Sequence, residues 1–202
     1  MSPAAPAARR LVCPRCERPQ RTCLCAWVRH THNAVPVRLW QHPDEVGQAK
    51  GSATLLRLSL ARCARHVSPP GQLGAPLPAD WLAPGTALLY PVDAEGAPPA
   101  VAAGGAVRLL IVLDGTWRQS RQMLRAQPAL AQLPRVAVPA ELLAAHGQRY
   151  RVRKAHQAGQ LSTLEAVALA LGHIEHDADR YGPVLQAFES WVGGLMAWRM
   201  PA

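Results

Sequence analysis

The sequence predicts an α/β fold built on a largely parallel sheet, and three observations carry that prediction. Val107-Arg108-Leu109-Leu110-Ile111-Val112-Leu113 is a nearly unbroken apolar run of strand length, the pattern of a strand buried on both faces. Shorter strand-like runs stand on either side of it. Segments with helical apolar spacing lie between these runs, and strands alternating with helices give parallel pairing.

Taken in order, residues 1–10 read as a disordered tail and residues 11–29 as a compact cysteine segment. Residues 30–202 read as one domain. Val35 to Trp40 alternates as a strand and runs into the polar loop Gln41-His42-Pro43-Asp44-Glu45. From Ala49 to Ala64 the spacing of Leu55, Leu56, Leu58, Leu60 and Cys63 predicts a helix, with Cys63 in the core. Residues 68–86 are rich in Pro and Gly and read as a connecting loop. Thr86 to Tyr90 is a short strand ending at Pro91. Residues 93–106 read as an exposed excursion before the long apolar strand. A helix is expected from Trp117 to Ala126, stopped near Pro128, and Arg135 to Val138 as a further strand. Two more helices follow, from Thr163 to Leu171 with Gly172 as its stop, and from Val184 to Met200.

Length and charge bound the function. A chain of 202 residues holds one good core, or one core and a small appendage. Its formal charge of +9 favours an anionic partner, nucleic acid first and an acidic membrane surface second. An arginine-rich composition with no functional meaning is the competing explanation. No segment reaches the ~18 apolar residues of a membrane span, and Met1 to Arg10 lacks the apolar stretch of a signal peptide. A cytoplasmic protein is expected. Thiols stay reduced there, so clustered cysteines point to metal rather than to disulfides.

Cys13-x-x-Cys16 and Cys23-x-Cys25 offer four thiolates within thirteen residues, enough to close a tetrahedral Zn²⁺ site. The segment has too little apolar content to fold alone, so metal would supply its folding energy. Four unligated thiols on a tail are the alternative. A site closed by four thiolates has no open position and is therefore structural.

The long strand delivers Asp114-Gly115-Thr116-Trp117 at its carboxyl end, where ligands bind in open α/β sheets. Asp114 is a candidate catalytic carboxylate, and Gly115 permits close approach of a ligand. Equally, Asp114 or Thr116 caps the following helix. Trp117 either stacks on a base or anchors that helix in the core. Arg118, Arg121 and Arg125 share one helical face, which either grips phosphates or is merely solvated. Further on, Tyr150-Arg151-Val152-Arg153-Lys154 is a basic run with an aromatic start. Ser162 and Glu165 fit a capping box. A helix start also presents free amides to an anion, such as a ligand carboxylate.

Together these motifs resemble one family. Cys13-x-x-Cys16 with Cys23-x-Cys25 is followed by Gln41-His42-Pro43-x-Glu45 and then by Asp114-Gly115-Thr116-Trp117. Last come Tyr150-x-x-Arg153-Lys154 and Leu161-Ser162-Thr163-Leu164-Glu165-Ala166. In that order, over residues 13 to 171, they look like the DTW-domain family, which includes bacterial tRNA-uridine aminocarboxypropyltransferases. The match is looser over Val46 to Thr54. Residues 68–86 and 93–106 carry no matching motif.

The resemblance implies a SPOUT-like α/β fold with a C-terminal knot. It implies S-adenosylmethionine (SAM) as co-substrate, tRNA as partner, and transfer of an aminocarboxypropyl group to uridine N3 with release of methylthioadenosine. Asp114, Thr116 and Trp117 would be catalytic. Pro91, Leu113, Asp114, Gly115, Leu161, Ser162, Thr163 and Glu165 would hold SAM. His42, Arg118, Arg121, Arg125, Tyr150, Arg151, Arg153 and Lys154 would hold RNA, and Cys13, Cys16, Cys23 and Cys25 the metal. The competing functions are a SPOUT-type methyltransferase and a non-catalytic, zinc-containing RNA-binding module.

Overall fold

The computed structural model describes residues 11–48, 51–92, 100–101, 106–149 and 161–197. Five strands form one wholly parallel sheet: β1 (Val37–Gln41), β2 (Cys63–Val67), β3 (Thr86–Leu89), β4 (Leu109–Asp114) and β5 (Arg135–Val136). Their order is β2-β1-β4-β3-β5. The long apolar run is the central strand, and every residue of β4 is buried.

Alternation along β4 sorts its side chains between two cores. Leu110 and Val112 face the layer of α1 (Ala53–Ser59), α5 (Thr163–Ile174) and α6 (Gly182–Ala197). Leu109, Ile111 and Leu113 face α2 (Trp117–Ala126), α3 (Pro128–Ala131) and the buried Trp81. Asp114 continues the first set, so its position in the strand points it toward α5. Complete burial of a side chain such as Leu110 or Ile111 contributes about 1.5–3 kcal/mol.

The cysteine segment shares this core. Cys16 and Leu24 are almost fully buried, and Trp27 and Val28 pack against the α1/α5/α6 layer. Among the described residues no helix is long and apolar enough to cross a membrane.

Several elements differ from the sequence expectation. The helix expected over 49–64 is only α1, and Cys63 opens β2 instead of lying on a helix. Buried Asn33 makes the break: its amide accepts from Arg62 N and donates to the Arg62 carbonyl, stapling the turn between the two elements. Gln41 belongs to β1, not to the loop. The segment after Pro139 forms α4 (Ala140–Arg149), a helix the apolar spacing missed. Arg135–Val136 is a strand of two residues, shorter than expected.

Gly172 does not stop α5. It lies inside the helix, where a Cβ would meet the Ala178 backbone at 3.0 Å, so it serves a close approach of two chain segments. The turn comes later, at His176 with φ 53°, and Asp177 N closes back onto the Gly172 carbonyl. Residues 1–10, most of the 93–106 excursion, the basic run 150–154 and residues 198–200 lie outside the described residues.

Candidate active site and metal centre

Parallel pairing sets Gln41 directly beside Asp114, at the ends of β1 and β4. Gln41 Nε2 donates to Asp114 Oδ2 at 2.7 Å, and the Thr163 hydroxyl donates to Oδ1 at 2.6 Å. Both oxygens of a buried carboxylate are thereby fixed by charge-assisted bonds. The backbone carbonyl of Asp114 accepts from His42 N at 2.9 Å, tying the next loop to the same strand end. Among the described residues, buried Gln41 Oε1 has no hydrogen-bond partner.

Of the two residues that could cap α2, it is Thr116 that does so. Its hydroxyl accepts from Gln119 N, and the Gln119 side chain accepts from Thr116 N at 2.6 Å, a complete capping box for α2. Asp114 takes no part in it. Trp117 is 50% exposed, so it does not anchor α2 in the core. It meets Tyr90 edge to face, with ring centroids 5.8 Å apart. Arg135 stacks under Tyr90, its guanidinium carbon 5.1 Å from that ring.

A cavity of about 840 Å³ opens where the chain leaves β3, β4 and β5, with α4 and the start of α5 completing its wall. Most of the residues expected to hold SAM line it: Pro91, Leu113, Gly115, Leu161, Ser162 and Thr163. Thr116 and Trp117 line it too, as does Tyr90, to which the sequence reading gave no role. Asp114 sits between two lining residues. This volume suits a nucleoside-sized ligand.

The start of α5 is more occupied than the motif suggested. Ser162 N donates to Glu165 Oε2 at 2.7 Å, Leu164 N to Ser52 Oγ at 3.3 Å, and Glu165 N to Ser162 Oγ at 3.3 Å. These amides are therefore taken by the protein itself. Glu165 is buried, and its Oε1 lies 3.1 Å from His146 Nε2, which docks α4 onto α5.

His42 is also buried. Its Nδ1 accepts from Asp44 N at 3.2 Å, and the side chain shapes the loop rather than a surface. Glu45, quoted in the motif but assigned no role, is half-buried beside Asp114. Burial and then the charge of Asp114 raise its carboxyl above the usual range. The sequence held a signal for Glu45 in the Gln41-His42-Pro43-x-Glu45 spacing, and for α4 in Pro139, Glu141 and the Ala/Leu content that follows. Tyr90 and His146 had none, because only packing brings them to the cavity and to Glu165. Arg118, Arg121 and Arg125 are all exposed on α2. Tyr150, Arg151, Arg153 and Lys154 lie outside the described residues.

The four cysteines converge. Sγ of Cys13 lies 3.7 Å from that of Cys25, and Sγ of Cys16 lies 3.7 Å from that of Cys23. All four sulfurs lie within 4.8 Å of one another. Zn–S bonds of ~2.3 Å in a tetrahedron separate the sulfurs by about 3.8 Å, so the arrangement fits a single tetrahedral ion. Backbone amides of Cys16 and Arg15 draw the Cys13 thiol down to about 6. Burial and the neighbouring thiols push Cys25 up to about 12.

Comparison with known proteins agrees with the motifs. The DTW domain matches residues 10–194. The chain is 31% identical over 179 residues to tRNA-uridine aminocarboxypropyltransferase 2 of Drosophila melanogaster, covering 85% of this chain and 70% of the fly protein. It is 27% identical over 206 residues to tRNA-uridine aminocarboxypropyltransferase A of Arabidopsis thaliana, covering 85% and 75%. No solved structure gives a significant match. With the cysteine, Gln-His-Pro and Asp-Gly-Thr-Trp motifs all falling inside the matched span, this chain belongs to the DTW-domain family.

Proposed function

We propose that this protein is a SAM-dependent tRNA-uridine aminocarboxypropyltransferase acting in the cytoplasm, with a structural Zn²⁺ held by Cys13, Cys16, Cys23 and Cys25. The observation that carries the reading is the cavity at the strand ends, which brings the Asp-Gly-Thr-Trp turn and the Leu161–Thr163 segment together. The names of the relatives agree with it. We extend the reading to a SPOUT-like fold with a knotted C-terminal half, supported by family membership and the wholly parallel sheet.

In this reaction the uridine N3–H gives up its proton, and the nitrogen lone pair bonds the SAM side-chain methylene next to sulfur. The C–S bond breaks, its electron pair stays on sulfur, and methylthioadenosine leaves. The sulfonium is already a good leaving group, so the protein's main task is to align nitrogen, carbon and sulfur and to keep the methyl carbon out of line. Asp114, held at both oxygens, serves as a fixed acceptor for N3–H. Glu45, with its raised carboxyl, stands beside it as a group able to take the proton on. Trp117 offers an open aromatic face to a base, a contact of about 1–3 kcal/mol. Arg118, Arg121 and Arg125, with Arg151, Arg153 and Lys154, grip the tRNA backbone.

Incubation with unmodified tRNA and SAM, followed by mass spectrometry, tests the proposal. An aminocarboxypropylated uridine and methylthioadenosine are expected. A methylated base with S-adenosylhomocysteine would make the protein a methyltransferase, and tRNA binding with no product would make it a binding module.

A further inference from the structure

We propose that Arg18 is a positioning residue that couples the four-cysteine metal centre to the loop bordering Asp114, so that metal loading holds residues 43–48 in place. The inference rests on the metal-centre reading and not on the transferase activity.

Arg18 lies between the two cysteine pairs and is 7% exposed, a position where a guanidinium requires partners. Its carbonyl accepts from Cys13 N at 2.7 Å, which locks its peptide into the cysteine turn. Once deprotonated to hold a metal, Cys16 and Cys23 place negative charge close to its guanidinium. A divalent ion with four thiolates carries a net negative charge, which this buried cation offsets.

The rest of the side chain leaves the cysteine segment. Its Cζ sits 5.2 Å from the centre of the Trp191 ring on α6, and Nη2 donates to the Gln48 carbonyl at 3.4 Å. Gln48 closes the loop that starts at His42. That loop is held internally by Glu45 N to His42 O at 3.0 Å, Val46 N to Pro43 O at 3.1 Å and Gln48 N to Glu45 O at 3.2 Å. The same loop carries Glu45 to Asp114 and is tied to it through His42 N. Arg18 therefore spans from the metal ligands to the far end of the segment whose near end borders the catalytic turn.

The adjacent Glu17 points elsewhere, to Arg65 at 3.0 Å and Arg57 at 3.8 Å, and fastens the cysteine turn to β2 and α1. Glu17 thus ties the segment to β2 and α1, whereas Arg18 reaches the loop and Trp191.

Hydrogen exchange on the full chain tests the proposal without tRNA or SAM. Zinc-loaded protein is compared with protein stripped by a chelator, as wild type, as Arg18→Met, which keeps bulk against Trp191, and as Arg18→Lys, which keeps the charge. In the wild type, stripping should speed exchange of the Glu45, Val46, Gln48 and Gly51 amides by about tenfold. In Arg18→Met those amides should exchange fast with or without zinc, while zinc still binds one per chain; Arg18→Lys should restore part of the zinc-dependent protection. Wild-type amides indifferent to zinc, or an Arg18→Met protein that keeps the full zinc-dependent change, would overturn it. Should Arg18→Met fail to fold, the wild-type comparison and Arg18→Lys decide. Coupling seen in a protein that makes no modified uridine would overturn the transferase reading alone.

Discussion

Replacing Thr163 with valine keeps the shape of the side chain and removes its hydroxyl. Asp114 Oδ1, in a carboxylate only 7% exposed, then loses the donor it holds at 2.6 Å, while Oδ2 keeps Gln41. A short bond to a charged acceptor is worth more than a neutral one, and leaving the acceptor empty costs about 1.5–3 kcal/mol. That corresponds to roughly a ten- to hundredfold smaller folding constant, or a Tm lower by about 3–12 °C for a chain of this length. Urea unfolding at pH 7 measures the loss, with an unchanged m-value showing that only stability has moved. The double-mutant cycle with Asp114→Ala should return a coupling of about 1–2 kcal/mol. Transfer to uridine should fall as well, since the carboxylate is no longer fixed in orientation. A loss under ~0.5 kcal/mol with no coupling would mean that Thr163 does not hold Asp114, and the argument for a fixed acceptor would fall with it.

Three further predictions come from other parts of the molecule. Trp117→Ala should lower tRNA-dependent turnover strongly and stability by less than about 1 kcal/mol, because half of the ring is already exposed; a large drop in Tm would assign it a core role instead. Arg118→Glu with Arg121→Glu and Arg125→Glu should weaken tRNA binding and flatten the log K against log salt slope by about 2–3, each phosphate contact contributing about 0.7–0.9; an unchanged slope would leave this face merely solvated. Cys25, with its thiol raised to about 12, must release a proton to bind metal. Zinc added at pH 7 should therefore release protons, and affinity should fall as pH falls; calorimetry in buffers of different ionisation enthalpy reads both.

The sequence alone determined the class of the fold and the family to which the chain belongs. Leu109 to Leu113 declared itself as a strand buried on both faces because a strand with helices on both sides needs no polar face. The strand end then placed Asp114-Gly115-Thr116-Trp117 at the ligand edge. The spacing of Cys13, Cys16, Cys23 and Cys25 announced a cluster able to hold a metal ion, because thiolates this close in sequence can reach one ion whatever the rest of the chain does. What local pattern left undetermined was everything that depends on a distant neighbour. Cys63 to Val67 has the composition of neither a clear strand nor a clear helix, and it is a strand only because β1 lies alongside it. The Ser162–Glu165 box was legible, yet that Glu165 also takes His146, and that Ser52 takes Leu164 N, follows from packing. Asp114 could have been a cap, and only the tertiary structure shows Thr116 doing that work while Gln41 and Thr163, 73 and 49 positions away, hold the carboxylate. Periodicity and spacing report what a residue's near neighbours permit. Which side chains meet across the sheet is decided by register and by the side chains that the folded core forces together.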